Sequence, residues 1–190
     1  MDLHVANGQS MEQEQVSTLG SLSFFAYGTP APQGSKRYVG RGIMVESSKK
    51  VKPWREAVAT FCRDAIQKHY WTGSKVDCAL LEITFGFPRP AGHYGSGKNA
   101  GVVKASAPKY PSRGTADLDK LVRATCDAIT TAGGWIDDRV VVGLRCSKVY
   151  TPAGAPLGAR ITIHHVDNTT LGQHYKNLTT VANKTTTKET

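Results

Sequence analysis

Five aspartates crowd into residues 117–138, namely Asp117, Asp119, Asp127, Asp137 and Asp138, in a chain with 24 Lys and Arg against 15 Asp and Glu. A net charge of +9 gives no general reason to gather carboxylates, so the segment points to chemistry that needs them. Hard carboxylate oxygens hold Mg²⁺ together with substrate phosphate and water, and such a site can activate water against a phosphodiester. Each acid also has a structural alternative. Asp117 could serve only as a helix N-cap, and Asp119 only as a first-turn acid favoured by the helix dipole. Asp137 and Asp138 could open the turn before a strand. Arg123 lies one turn after Asp119, and its guanidinium could stabilise charge on a phosphate. Asp127 falls one turn further on and reads as the end of a surface i,i+4 stripe with Arg123.

These residues need elements that bring them together. Apolar positions Leu118, Leu121, Val122, Cys126 and Ile129 recur at three and four, which predicts a helix over residues 118–132 ended by Gly133 and Gly134. From Asp119 to Gly133 such a helix rises about 21 Å, while five extended residues can return only about 16 Å. Asp138 can therefore reach Asp117 or Asp119 only if the chain reverses at the two glycines. The mechanism expects the Asp138 carboxylate within roughly 4–6 Å of Asp117 or Asp119, in one chain or across two, with mutual repulsion raising at least one pKa.

Around this segment the pattern predicts an α+β fold: a small mixed or antiparallel sheet with two main helices packed on it. An aromatic run at residues 23–27 reads as a strand, with another possible near residues 43–45. Pro53 opens a helix whose stripe is Val58, Phe61, Cys62, Ala65 and Ile66. Ala79, Leu81, Ile83, Phe85 and Phe87 alternate along a half-buried strand. Val140, Val142, Leu144 and Cys146 do so along another, and Ile161 and Ile163 mark a last one across a Pro/Gly hairpin loop. The domain is expected over residues 21–166, with flexible tails at 1–20 and 167–190.

The basic residues are grouped as well. Residues 33–55 hold Lys36, Arg37, Arg41, Lys49, Lys50, Lys52 and Arg55 against Glu46, and residues 89–113 hold five Lys or Arg and no acid. A polyanion is the natural partner. Lys36, Arg37, Lys109, Arg113, Lys120 and Lys148 are the candidates for DNA phosphate contacts. The cysteines Cys62, Cys78, Cys126 and Cys146 form no CxxC pair, which argues against a zinc site. With no secretory signal pattern and no apolar run of membrane-spanning length, a cytoplasmic protein with reduced thiols is expected.

The stretch TADLDKLVRATCDAITTAGGWIDDRVVVGLRCSKVY resembles the signature of RusA-like Holliday junction resolvases, particularly those of bacteriophages of actinobacteria. It combines a DxD, a basic residue four positions after the second Asp, a helix of matching length and a W-x-DD-x-x-VV strand start. PRPAGHYGSGKNAGV and APKYPS resemble the phage branch too, so the likeness runs over residues 24–166. It implies that Asp117, Asp119 and Asp138 are catalytic, metal-binding aspartates with Asp137 adjoining, and that Arg123 stands where the family has a catalytic lysine. It further implies a homodimer that makes paired nicks in four-way or other branched DNA with Mg²⁺, for which Mn²⁺ can substitute, and no small-molecule cofactor. The chain departs from the family pattern in having Ala116 before the first Asp and Lys120 after the second. The competing reading is a non-catalytic DNA-binding protein of a phage replication or recombination module, whose aspartates only cap helices.

Overall fold

The computed structural model describes residues 18–34, 36–38, 44–46 and 50–169. Residues 1–17 and 170–190, most of both expected tails, lie outside that set, as do the side chains of Lys36 and Arg37. Residues 18–20, expected in the N-terminal tail, instead begin strand β1 (Thr18–Tyr27), which is longer than the aromatic run alone suggested. Short strands β2 (Lys36–Tyr38) and β3 (Met44–Glu46) pair antiparallel as a separate ribbon. Helix α1 spans Val51–His69. It starts two residues before Pro53, which still sits in the first turn, where a backbone N–H has no intrahelical partner. Strand β4 (Ala79–Phe87), helix α2 (Leu118–Ala132), strand β5 (Val141–Tyr150) and strand β6 (Gly158–Val166) complete the chain.

The main sheet runs β1-β6-β4-β5, with β6 antiparallel to both neighbours and β5 parallel to β4. The hairpin expected between β5 and β6 does not form, because β4 lies between them. Burial explains the order: Ala159, Ile161 and Ile163 of β6 are fully buried, which suits a central strand, whereas β5 keeps Val142 at 44% and Leu144 at 50% exposure. The alternation of Val140, Val142, Leu144 and Cys146 marked the strand, and its edge position leaves it a neighbour on one side only.

One core joins the sheet to both helices. Leu22, Leu81, Ile83, Phe85, Ile161 and Ile163 meet Trp54, Val58 and Cys62 of α1 and Leu121, Ala124 and Ile129 of α2. Two tryptophans fasten the end of α2: Trp135 donates to Thr130 Oγ1 at 2.7 Å, and Trp71 donates to the Gly134 carbonyl at 2.8 Å. Gly133 takes a left-handed φ of 85° and caps the helix, with the Gly134 N–H bonded to the Ile129 carbonyl. The chain therefore reverses where the two glycines required it to.

Gly73 packs beneath this reversal, and a Cβ there would collide with the Gly133 carbonyl oxygen and lie 2.8 Å from the Gly134 carbonyl carbon. Gly73→Ala is expected to destabilise the fold by about 1–3 kcal/mol, the usual effect of overpacking a closed site. Chemical denaturation should show the lowered midpoint.

Candidate active site at the start of helix α2

Asp117 occupies the N-cap of α2, yet its side chain makes no capping hydrogen bond. Its carboxylate instead accepts from Lys120 Nζ at 2.6 Å and remains well exposed. This separates the two readings of the residue, since a capping Asp would spend its oxygens on the backbone N–H groups of the first turn. The Lys120 hydrogen bond, then its charge, holds the Asp117 carboxyl below the usual range, with Lys148 adding to the effect. The direction is the reverse of the rise expected from converging carboxylates. Within one chain Asp117 is answered by cations, not crowded by acids.

Lys148 is fixed rather than free. From β5 its half-buried side chain donates to Thr115 Oγ1 at 3.1 Å and to the Ala116 carbonyl at 2.9 Å. Thr115 in turn donates to the Pro111 carbonyl at 2.7 Å. These bonds tie the approach to Asp117 to the edge of the sheet. Asp119 lies exposed in the first turn of α2, and Arg123 is exposed one turn later. Lys109 and Arg113 are exposed on the loop before the helix.

The second acidic pair lies at the turn before β5. Asp137 Oδ1 accepts from the Arg139 backbone N–H at 2.9 Å, so it caps the short 3-10 turn Asp138–Val140. Asp138 is exposed in that turn and, with Asp127, Arg55, Arg63 and Gln33, lines a cleft of about 820 Å³ between α1 and α2. Burial pushes the Cys126 thiol at the base of this region up to about 12, and Asp138 and then Asp127 reinforce the rise. Asp127 pairs across the helices with Arg55 at 3.6 Å, in place of the expected i,i+4 stripe with Arg123. Periodicity along α2 could not find this partner, because it comes from α1.

A small divalent cation suits the donors present, since Asp117, Asp119 and Asp138 all offer hard carboxylate oxygens. Among the described residues, however, no group of three His, Cys, Asp or Glu side chains is assembled to hold a metal ion. One chain thus supplies the right kind of ligand without gathering the set. No helix of the described residues is long and apolar enough to cross a membrane.

Residues 27–164 match the family model described as Endodeoxyribonuclease RusA. The chain belongs to this family. Similar curated RusA proteins are the crossover junction endodeoxyribonucleases RusA of Escherichia coli O139:H28 (strain E24377A / ETEC) and of Escherichia coli (strain K12), and that of Enterobacteria phage 82. Each is 44% identical over 52 residues, which is 27% of this chain and 43% of the relative. The aligned part spans less than half the length of the curated RusA relatives. The α+β architecture, a mixed four-stranded sheet with two helices, accords with RusA membership.

Proposed function

We propose that this chain is a Mg²⁺-dependent endodeoxyribonuclease that resolves four-way junctions and other branched DNA by paired phosphodiester hydrolysis in the cytoplasm of the cell. Mn²⁺ is the expected substitute cation. The observation that carries this reading is Asp117, an N-cap residue whose carboxylate does no capping and points into a basic surround, in a member of an endodeoxyribonuclease family. Asp117, Asp119 and Asp138 would hold the cation, with Asp137 adjoining. A cation held there would supply Lewis-acid activation of water and offset charge on the scissile phosphate. Lys120 neutralises Asp117 until then, and Lys148 holds the backbone at 115–116 so that Asp117 keeps its place. Arg123 offers a fixed positive charge to the phosphate; a guanidinium does not readily lose a proton, so it has no role as a base. Hydrolysis by in-line attack leaves a 5′-phosphate and a 3′-hydroxyl, with no covalent protein intermediate.

The working unit in this reading is a homodimer. Strand β5 is a ten-residue sheet edge with Val142 and Leu144 half exposed, and Ile136 just before it is 68% exposed. A long apolar edge is a ready template for a second strand, and two-fold pairing is the common closed solution. Antiparallel pairing of β5 with its copy about Leu144 would set the partner's Val140 against Lys148. The partner's Asp138 would then approach the end of β5 that Lys148 ties to Ala116 and hence to Asp117. Such a dimer completes the acidic set that one chain leaves divided.

Labelled four-way, three-way and linear DNA incubated with and without Mg²⁺ tests the activity. Cleavage of the branched forms only when Mg²⁺ is present is the expected result, and its absence would remove the nuclease reading. Binding should also weaken steeply with salt. Removing Lys109 or Arg113, or Lys36 or Arg37 on the β2–β3 ribbon, should each lower the log–log slope by about 0.9 if that residue meets a phosphate. Titration across a salt series reads the slope directly.

A further inference from the structure

We propose that Tyr110 is a stacking platform for a nucleobase at the branch point of the DNA, and so a residue that selects branched over linear substrate. The proposal rests on the junction-nuclease reading above and deepens it. Tyr110 is 65% exposed, so its ring is open to a ligand. Its backbone, by contrast, is held on both sides. On one side Arg89 Nη1 donates to the Pro108 carbonyl at 2.9 Å, and the same guanidinium lies 4.3 Å above the ring centre of Tyr150 at the end of β5. On the other side Pro111 is buried and its carbonyl accepts from Thr115, which Lys148 also binds. The Ser112 N–H closes a tight turn onto the Tyr110 carbonyl at 2.9 Å.

The surrounding segment is folded rather than loose. Within residues 89–113, short 3-10 turns at Ala91–His93 and Gly97–Asn99 and an antiparallel bridge between Tyr94 and Val103 give it local structure. The segment is therefore a small platform anchored to the sheet. It carries no acid, and exposed Lys109 and Arg113 lie one residue before and three residues after Tyr110 in the chain. An exposed aromatic in a basic, acid-free segment suits a nucleotide, because phosphates take the charges and the base takes the ring face. Linear duplex hides its base faces in the stack, whereas a branch point exposes them at lower cost. Tyr110 precedes Asp117 by seven residues on a pinned path, so a base stacked there would lie on the approach to the acids.

The test uses the full chain carrying Asp117→Asn, in metal-free buffer, so that binding is measured apart from cleavage. In that background Tyr110→Ala is expected to weaken four-way junction binding about tenfold while leaving linear duplex binding and the salt slope unchanged. Tyr110→Phe should retain the wild-type preference. Iodouracil placed in turn at each base beside the branch point should photocrosslink to Tyr110, as located by mass spectrometry. An unchanged junction-to-duplex ratio in Tyr110→Ala, loss of preference in Tyr110→Phe, or a crosslink confined to other residues would each overturn the proposal. Thermal melting of both variants guards against misfolding. If the chain with native Asp117 fails to cut with Mg²⁺ while the Tyr110 crosslink persists, the nuclease reading falls and the stacking stands. If cutting persists without the crosslink or the loss of preference, only the stacking falls.

Discussion

Asp117→Asn and Asp119→Asn are each expected to lower Mg²⁺-dependent junction cleavage by at least about a thousandfold, as loss of several kcal/mol of charge stabilisation at the phosphate implies. Junction binding should survive or tighten, because a carboxylate facing a phosphate repels it when no cation is present. For Asp117 the change also releases Lys120, whose ammonium is now spent on the carboxylate at 2.6 Å. Asn caps a helix about as well as Asp, so stability is read on Asp117→Ala instead. A true N-cap would cost about 1 kcal/mol on removal, but the Asp117 side chain makes no capping bond, so thermal melting of Asp117→Ala should stay close to wild type. Nicking and gel-shift measurements on the Asn variants, with a melt of Asp117→Ala, decide all three points. Wild-type nicking by either variant would take that residue out of the mechanism.

The elements that position these residues were legible where periodicity is strong. The expected range of α2, its stop at Gly133 and Gly134, and the buried face of β4 agree with the structure because each depends on local pattern: apolar spacing, a left-handed glycine cap and strict alternation. The order of the strands was not legible. Val142 and Leu144 alternate as a core strand would, and nothing local says that β6 inserts beside β4 and leaves β5 at the edge. Ion pairing failed for a similar reason. Arg55 reaches Asp127 from a different helix, so i,i+4 reasoning chose the wrong partner. Lys148 was marked as a phosphate contact by charge alone; in the fold it is half-buried and holds Thr115 and Ala116. The acids themselves stood out against the basic composition, yet their division between the start of α2 and the α1–α2 cleft depends on tertiary placement.

That division makes subunit mixing the most informative experiment on the site. If each active site takes Asp117 from one subunit and Asp138 from the other, then Asp117→Asn and Asp138→Asn homodimers are both inactive. A heterodimer of the two variants has one site with both substitutions and one with neither. Random exchange in an equal mixture makes about half of the dimers heterodimeric, so about a quarter of the wild-type sites should return. The products should be informative too: single nicks recover, while paired cuts across the junction do not, because no dimer contains two intact sites. An active site built within one chain predicts no recovery, since every site then carries a substitution. Leu144→Lys supplies the companion test, because a charge on the exposed apolar edge of β5 should oppose pairing. It is expected to sediment as a monomer and to lose cleavage although Asp117, Asp119 and Asp138 are all present. A mixture that stays inactive while Leu144→Lys remains dimeric and cuts normally would refute both the shared site and the β5 interface.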